Sequence, residues 1–398
     1  MSDEQDAAVA GRTTAIAWAT IWLALVAFIA LAYAIPTGAG SIIASATRHN
    51  TAKLEVLLGT VLVREESSGL EANAASGKML VEGDIIRTTG KSQAVIWLFD
   101  GSNLRLWPDT ILTVEQLRSS RFSNDRTIIA LRLEKGHARA EVALPPTPSR
   151  QIEVSLPGGT SLLREGSYSL DAWSGRSELV THLGSASVTG AGRSVEVLKS
   201  ERTSIALGQP PSVPMPGARN LLDNGDFSRG LEGWTATADA EDPVMGSTAT
   251  GVDEGRSVVV FQRIGGVKHG ENRIFQAINR DTTDFDLLKF RFDFKINAQS
   301  LSGGGWQGSE YPVKVRLKYR DVYDSETLLV RGFYIQNDAG NSTVSGQAVP
   351  KAQWQTFELD LLSPAQVSPR PAALLSVEVS ASGWDFSSRI TNAELMAE

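Results

Sequence analysis

The chain contains no cysteine. Disulfides, thiolate catalysis, cysteine-ligated zinc and iron–sulfur clusters are therefore excluded. Histidine is scarce: His49, His137, His182 and His269 stand far apart and show no H-x-x-x-H spacing. His137 and His182 each sit beside an expected turn, where a lone histidine is expected to be simply exposed. The G-x-S-x-G elbow and the Walker loop are both missing. So is a basic cluster. With 38 Lys and Arg against 45 Asp and Glu, and a net charge of -7, nothing favours nucleic acid as a partner. A glycosidase needs two carboxylates flanking a cleft, and no motif singles out such a pair. These absences lead to the expectation that the chain is not an enzyme and holds no catalytic residue.

What is present begins with one long apolar run. Residues Ala15–Ile35 carry no charge and would span roughly 31 Å as a helix, about the hydrocarbon thickness of a bilayer. Trp18, Trp22 and Tyr33 lie toward its ends, as interfacial aromatics would, and Pro36 and Gly38 stop it. The expected organisation is a short tail (1–14) followed by a transmembrane helix (15–36). The competing reading is a cleaved signal peptide, because Ala32-Tyr33-Ala34 forms an A-x-A site, although signal cores are usually shorter. Arg12 on one side and Arg48 and Lys53 on the other leave the charge asymmetry weak. The expected topology is single-pass in a bacterial cell membrane, with everything after the span outside the cytoplasm.

From Leu54 the pattern changes to short β-branched or alternating runs: Val61–Val63, Ala94–Leu98, Leu104–Leu106, Ile128–Leu133, Ala138–Val142 and Val195–Leu198. Turn signals such as Gly83-Asp84, Asp100-Gly101 and Pro157-Gly158-Gly159 separate them, because glycine supplies positive φ and aspartate bonds its own downstream backbone. Asp84, Arg87, Asp100 and Ser102 are read as turn formers. The one stretch open to a helical turn is Val114–Leu117. The fold class is all-β.

Several ordered motifs here carry a resemblance. GTVLVRE (Gly59–Glu65) precedes LVEGDIIRTTGKSQAVIWLFDGSNLRLWPDTILTVEQL (Leu80–Leu117), then LEKGHARAEV (Leu133–Val142), IEVSLPGGTSLLREGSYSL (Ile152–Leu170) and LVTHLGSASVTG (Leu179–Gly190). Together they resemble the FecR-type periplasmic domain, expected over 54–207. The resemblance implies an extracytoplasmic all-β domain behind a single span, in a family whose iron-uptake members sense an outer-membrane receptor and control a sigma factor through a cytoplasmic tail. The stretch before this span is too small for a folded tail of that kind, so the sigma-controlling role is not expected to carry over.

Residues Gly208–Gly217 read GQPPSVPMPG, an extended proline-rich linker by composition. The following module, 218–398, opens with NLLDNGDFSRGLEGW (Asn220–Trp234). This opening resembles the first strand of carbohydrate-binding modules with a galactose-binding-like jelly roll, an antiparallel β-sandwich. WQTFELDL (Trp354–Leu361) and SSRITNAELMAE (Ser387–Glu398) resemble late and closing strands of such modules. Trp234 and Trp354 are read as core. Val313, Val315, Leu317 and Tyr319 alternate with Lys314, Arg316, Lys318 and Arg320, the stripe of a half-exposed strand.

Sugar recognition needs aromatic faces and planar polar groups. The candidate ligand-binding residues are Trp306, Gln307, Glu310, Tyr311, Tyr323, Trp384 and Asp385, with Tyr334, Arg320 and Asp321 as further possibilities. The loop SLSGGGWQGSEYP (Ser300–Pro312) is the densest cluster, its glycines permitting close approach. The jelly-roll resemblance also implies a structural calcium at Asn224 and Asp226, although Ser228 stands where an acidic residue is usual. No other cofactor is expected. The expected partners are the membrane and a polysaccharide or envelope protein. The function expected is binding and display, with a signalling regulator or a purely structural interaction module as alternatives.

Overall fold

A computed structural model of the chain describes residues 18–30, 46–122, 126–144, 149–343 and 345–398. Residues 18–30 are helical, and Trp18, Trp22, Leu23 and Phe28 are exposed along it. The flanks of the apolar run, its A-x-A site and the tail 1–14 lie outside the described residues. Among the described residues no helix is long and apolar enough to cross a membrane. The rest of the described chain is strands and turns, in two compact units, Met1–Gly217 and Ala218–Glu398.

The first unit is built on one sheet of sixteen strands. Its hub is the strand Arg126–Val142. The first half of this strand pairs antiparallel with Ile111–Ser120 and parallel with Ser149–Leu156. Its second half pairs antiparallel with Asn103–Leu106 and Gly159–Trp173. The runs Ile128–Leu133 and Ala138–Val142, separate in sequence pattern, are thus one strand. Ile129, Leu131 and Leu133 are buried, and then Ala138, Ala140 and Val142. The buried parity switches because the register shifts between Leu133 and Lys135. Such a bulge lets both halves face the same core. Val114–Leu117 is not a helical turn. It lies in the strand Ile111–Ser120, with Leu112, Val114 and Leu117 fully buried.

The proline-rich run does not stand free. Met215–Pro216 pairs with Glu201–Arg202, and Ser212 bonds the backbone of Ser204. Asp84 and Asp100 serve the backbone, as expected for turn formers. Asp84 accepts from the Glu66 and Val81 amides, and Asp100 from the amide and hydroxyl of Ser102.

The second unit is a sandwich of two six-stranded sheets. One contains Arg256–Arg263, Leu288–Gln299, Gln355–Asp360 and Phe386–Ala397; the other contains Gly270–Asp281, Val313–Asp321, Glu326–Tyr334 and Pro371–Gly383. Phe290, Phe292 and Phe294 meet Val313, Val315, Leu317 and Tyr319 in one core, and Phe292 packs edge-on to Phe333 and Phe357. Arg219–Asn220 pairs with the closing strand at Met396–Ala397. Pairing is antiparallel except that Gly346–Ala348 runs parallel to Glu326–Tyr334. Trp234 is core, but Trp354 is not. It is half-buried on the outer face, with Arg256 and Lys295 each 5.0 Å from its ring centroid. Lys314 also departs from its stripe. It is 3 % exposed, because its ammonium reaches the Ser309 carbonyl and the Ser382 hydroxyl.

Candidate functional site at one end of the sandwich

Three connections meet at one end of the second unit. The loop Ser300–Pro312 enters the strand Val313–Asp321. The turn Gly383–Phe386 joins the last two strands, and residues 264–269 lead into Gly270–Asp281. The register places them together, since Gly270 faces Gly383 and the Ser382 amide donates to the Tyr311 carbonyl. The Asp385 amide donates to the Ser300 hydroxyl and the Ser300 amide to the Asp385 carbonyl. The Gly266 amide donates to the Asp385 carboxylate.

These clamps leave two indoles outside. Trp306 is 92 % exposed and Trp384 44 %. Gln307 is exposed beside Trp306. Glu310 is engaged by His269, whose Nδ1 contacts its carboxylate. His269, which sequence marks only as an isolated histidine, and Ile264 and Val267, both exposed and not singled out from sequence, belong to this end. The only local signal was the Gly265-Gly266 turn between them.

Two of the expected site residues do not belong here. Tyr311 is 1 % exposed. Its ring fills a slot over Gly304, Gly332 and Gly346, where an added Cβ would come within 2.2–2.7 Å of it, and its hydroxyl donates to the Gly308 carbonyl. A ring so enclosed cannot stack on a ligand. Tyr323 is exposed but lies beyond the far end of the nine-residue strand Val313–Asp321, roughly 30 Å away by strand rise. Asp321 is buried at that far turn, accepting from the Tyr323 and Ser325 amides. Tyr334 packs against Tyr311.

The histidines are not simply exposed either. His137 contacts the Asp171 carboxylate at 3.0 Å, and His182 the Ser169 hydroxyl at 2.8 Å.

The residues at the implied calcium site do not fit the ion. The Asn224 side chain is engaged by its own turn: its amide group donates to the Gly230 and Glu232 carbonyls, and its oxygen accepts from the Arg229 amide. Asp226 accepts from the amide and hydroxyl of Ser228. No group of three or more acidic or histidine side chains able to hold a metal occurs among the described residues, whereas calcium takes six to eight oxygens.

The end of the sandwich is held by charge. Arg263 is fully buried, and its guanidinium donates to the carbonyls of Val244, Lys268, Gly383 and Trp384 and to Asp242. The Val267 amide, with those of Lys268 and Val244 and the Arg263 guanidinium, holds the Asp242 carboxyl down at about 2 from an ordinary 3.8. Burial pushes Glu271 upward, but Lys314 and Arg316 outweigh it and bring that carboxyl to about 2 from 4.5. Both carboxyls are lowered on folding, so their stabilisation is complete above the ordinary values and lost as the pH falls from there toward 2. Unfolding of this unit should therefore be insensitive to these two groups at pH 5–7 and steepen in acid below about 4.5. Urea midpoints measured from pH 6 down to pH 2 check this. Asp242→Asn and Glu271→Gln should each flatten the acid limb, and an unchanged limb in both would refute the assignment.

Comparison with known proteins places the first unit in context. Residues 84–187 match the family model described as "FecR protein". No curated protein matches the chain. Among solved structures, a candidate anti-sigma factor from Parabacteroides distasonis ATCC 8503 is 14 % identical, covering 37 % of this chain and 71 % of that one, with a TM-score of 0.28. The family 11 carbohydrate-binding module of a cellulosomal cellulase of Clostridium thermocellum is 12 % identical, covering 46 % and 95 %, with a TM-score of 0.29. TmCBM61 in complex with beta-1,4-galactotriose is 15 % identical, covering 45 % and 99 %, with a TM-score of 0.27.

Proposed function

We propose that this chain, which carries a FecR-type domain over residues 84–187, is a membrane-anchored protein of the bacterial envelope whose second unit binds polysaccharide without turning it over. The observation that carries this reading is Trp306, 92 % exposed at the tip of a loop whose neighbours are tied down. Loops on a rigid frame are where binding groups collect, and this indole presents its face to solvent without having to be uncovered. Its flat apolar face suits the C–H face of a sugar ring. Trp384 offers a second indole at the same end, and Gln307 and Asp385 offer polar groups for hydroxyls. The apolar run Ala15–Ile35 supports the anchor, as do the exposed side chains of its helical part.

Full-length protein in detergent should bind a subset of polysaccharides on a glycan array. Trp306→Ala should weaken that binding about tenfold or more while changing stability by less than about 0.5 kcal/mol, as exposed substitutions do. Absence of binding to every glycan, or undiminished binding by the variant, would count against the reading.

A second reading, transmembrane signalling, is favoured by the FecR match itself. A stoichiometric cytoplasmic regulator co-purifying with the full-length protein would select it over simple display.

A further inference from the structure

A cavity of about 530 Å³ opens in the first unit, at the bulge of its hub strand. Pro108, Ile111, Ala172 and Trp173 give it an apolar wall, and Asp109, Glu134, Lys135, His137 and Asp171 supply the polar groups. The bulge explains why this place is open. The register shift between Leu133 and Lys135 leaves Glu134 and Lys135 both on the solvent side, and Gly136 follows at a φ of +100°. A Cβ on Gly136 would lie 2.5 Å from the Thr110 Cα, so only glycine lets the Trp107–Thr110 turn close against the strand.

The site is pre-organised around His137. The Trp107 amide donates to the His137 carbonyl at 3.0 Å, and the His137 amide to the Thr110 hydroxyl at 3.1 Å. The Trp107 ring meets the imidazole edge-on, with centroids 4.8 Å apart, while the Asp171 carboxylate contacts Nδ1. An imidazole held on both sides has little rotamer freedom left to lose on binding, which favours affinity.

The charges narrow the ligand class. Three carboxylates, Asp109, Glu134 and Asp171, face one ammonium, Lys135, among the lining residues, so an anion is disfavoured. Trp173 already accepts a cation, with the Arg176 guanidinium 4.7 Å from its ring centroid. An electron-rich ring beside carboxylates suits a positive charge carried on an apolar body. We propose that this cavity binds a small primary ammonium compound with a ring-shaped apolar body, the ring against Trp173 and the ammonium among Asp109, Glu134 and the His137–Asp171 pair.

The test uses the full chain in detergent with isotope-labelled histidine. Only four histidines are present, and His137→Gln identifies the relevant signal. Tyramine, tyrosol and 4-hydroxyphenylacetate share one ring and differ in carrying an ammonium, a hydroxyl or a carboxylate. Tyramine should shift the His137 signal saturably and leave those of His49, His182 and His269 in place. Tyrosol should bind about tenfold more weakly, and 4-hydroxyphenylacetate should give no shift. Glu134→Gln and Asp109→Asn, both exposed and safe for folding, should each weaken tyramine roughly fivefold, as expected for losing one partly solvated charged contact. No shift with tyramine overturns the proposal. Equal shifts from the carboxylate, or unchanged tyramine affinity in both variants, overturn it too.

Discussion

Arg263→Leu is expected to lower the stability of the unit Ala218–Glu398 by at least about 4 kcal/mol. The guanidinium has no solvent exposure and satisfies the carbonyls of Val244, Lys268, Gly383 and Trp384. Each buried carbonyl left without a donor costs about 1–3 kcal/mol, and leucine supplies no donor. Gly266 and Gly270 approach so closely that a Cβ on either would lie 2.5–2.6 Å from the Arg263 Cζ, so neighbouring side chains cannot move in to replace the lost bonds. Arg263→Lys should rescue little, since one ammonium cannot aim donors in the directions of a planar fork. Urea unfolding measures the loss, and a loss under about 1 kcal/mol would contradict the role assigned. Three of the carbonyls belong to the segments that carry Val267 and Trp384. A partly folded Arg263 variant should therefore also lose any binding that depends on Trp384.

In the first unit the corresponding prediction is Arg150→Met, with a cost of about 3–5 kcal/mol. Arg150 and Asp100 form an ion pair at 3.0 Å with side-chain exposures of 4 % and 0 %. Removing the cation leaves a carboxylate enclosed with, among the described residues, the Ser102 amide and hydroxyl as its donors. The double variant Asp100→Asn/Arg150→Met should be more stable than Arg150→Met alone, because the stranded charge has gone. Equal stability of the two would mean that Asp100 is solvated when unpaired. Asp100 was correctly read as a turn former, but nothing local to Asp100-Gly101 signals a partner fifty positions away.

That contrast marks what sequence could and could not supply. Period-two alternation set the buried face of Val313–Asp321 correctly because each side chain's direction follows from the strand alone. Turn chemistry separated most strands for the same reason. It failed at Glu134-Lys135-Gly136, which reads as a break although strand pairing continues across a bulge. Trp306 stood out because its neighbours are glycines, a local property. Tyr311 was misassigned because its slot is made by Gly304, Gly332 and Gly346, two of them distant in sequence. Trp354 was misassigned because the cations that hold it outside come from Arg256 and Lys295. Lys314 was taken as exposed because the loop that covers it returns from before its own strand. Tyr311 and Trp354 thus share one cause, an environment assembled by segments remote in sequence.

The proline-rich run has a consequence for the protein at high concentration. Glu201–Ala206 is bonded on one side to Arg176–Gly190, and on its other side, among the described residues, to the run ending in Met215–Pro216. Pro210, Pro211, Pro214 and Pro216 have no N–H to offer. A further chain arriving at this margin would find a surface unable to supply the ladder that strand addition requires. What composition marks as a spacer thus also terminates the sheet, and intermolecular growth is blocked along that border.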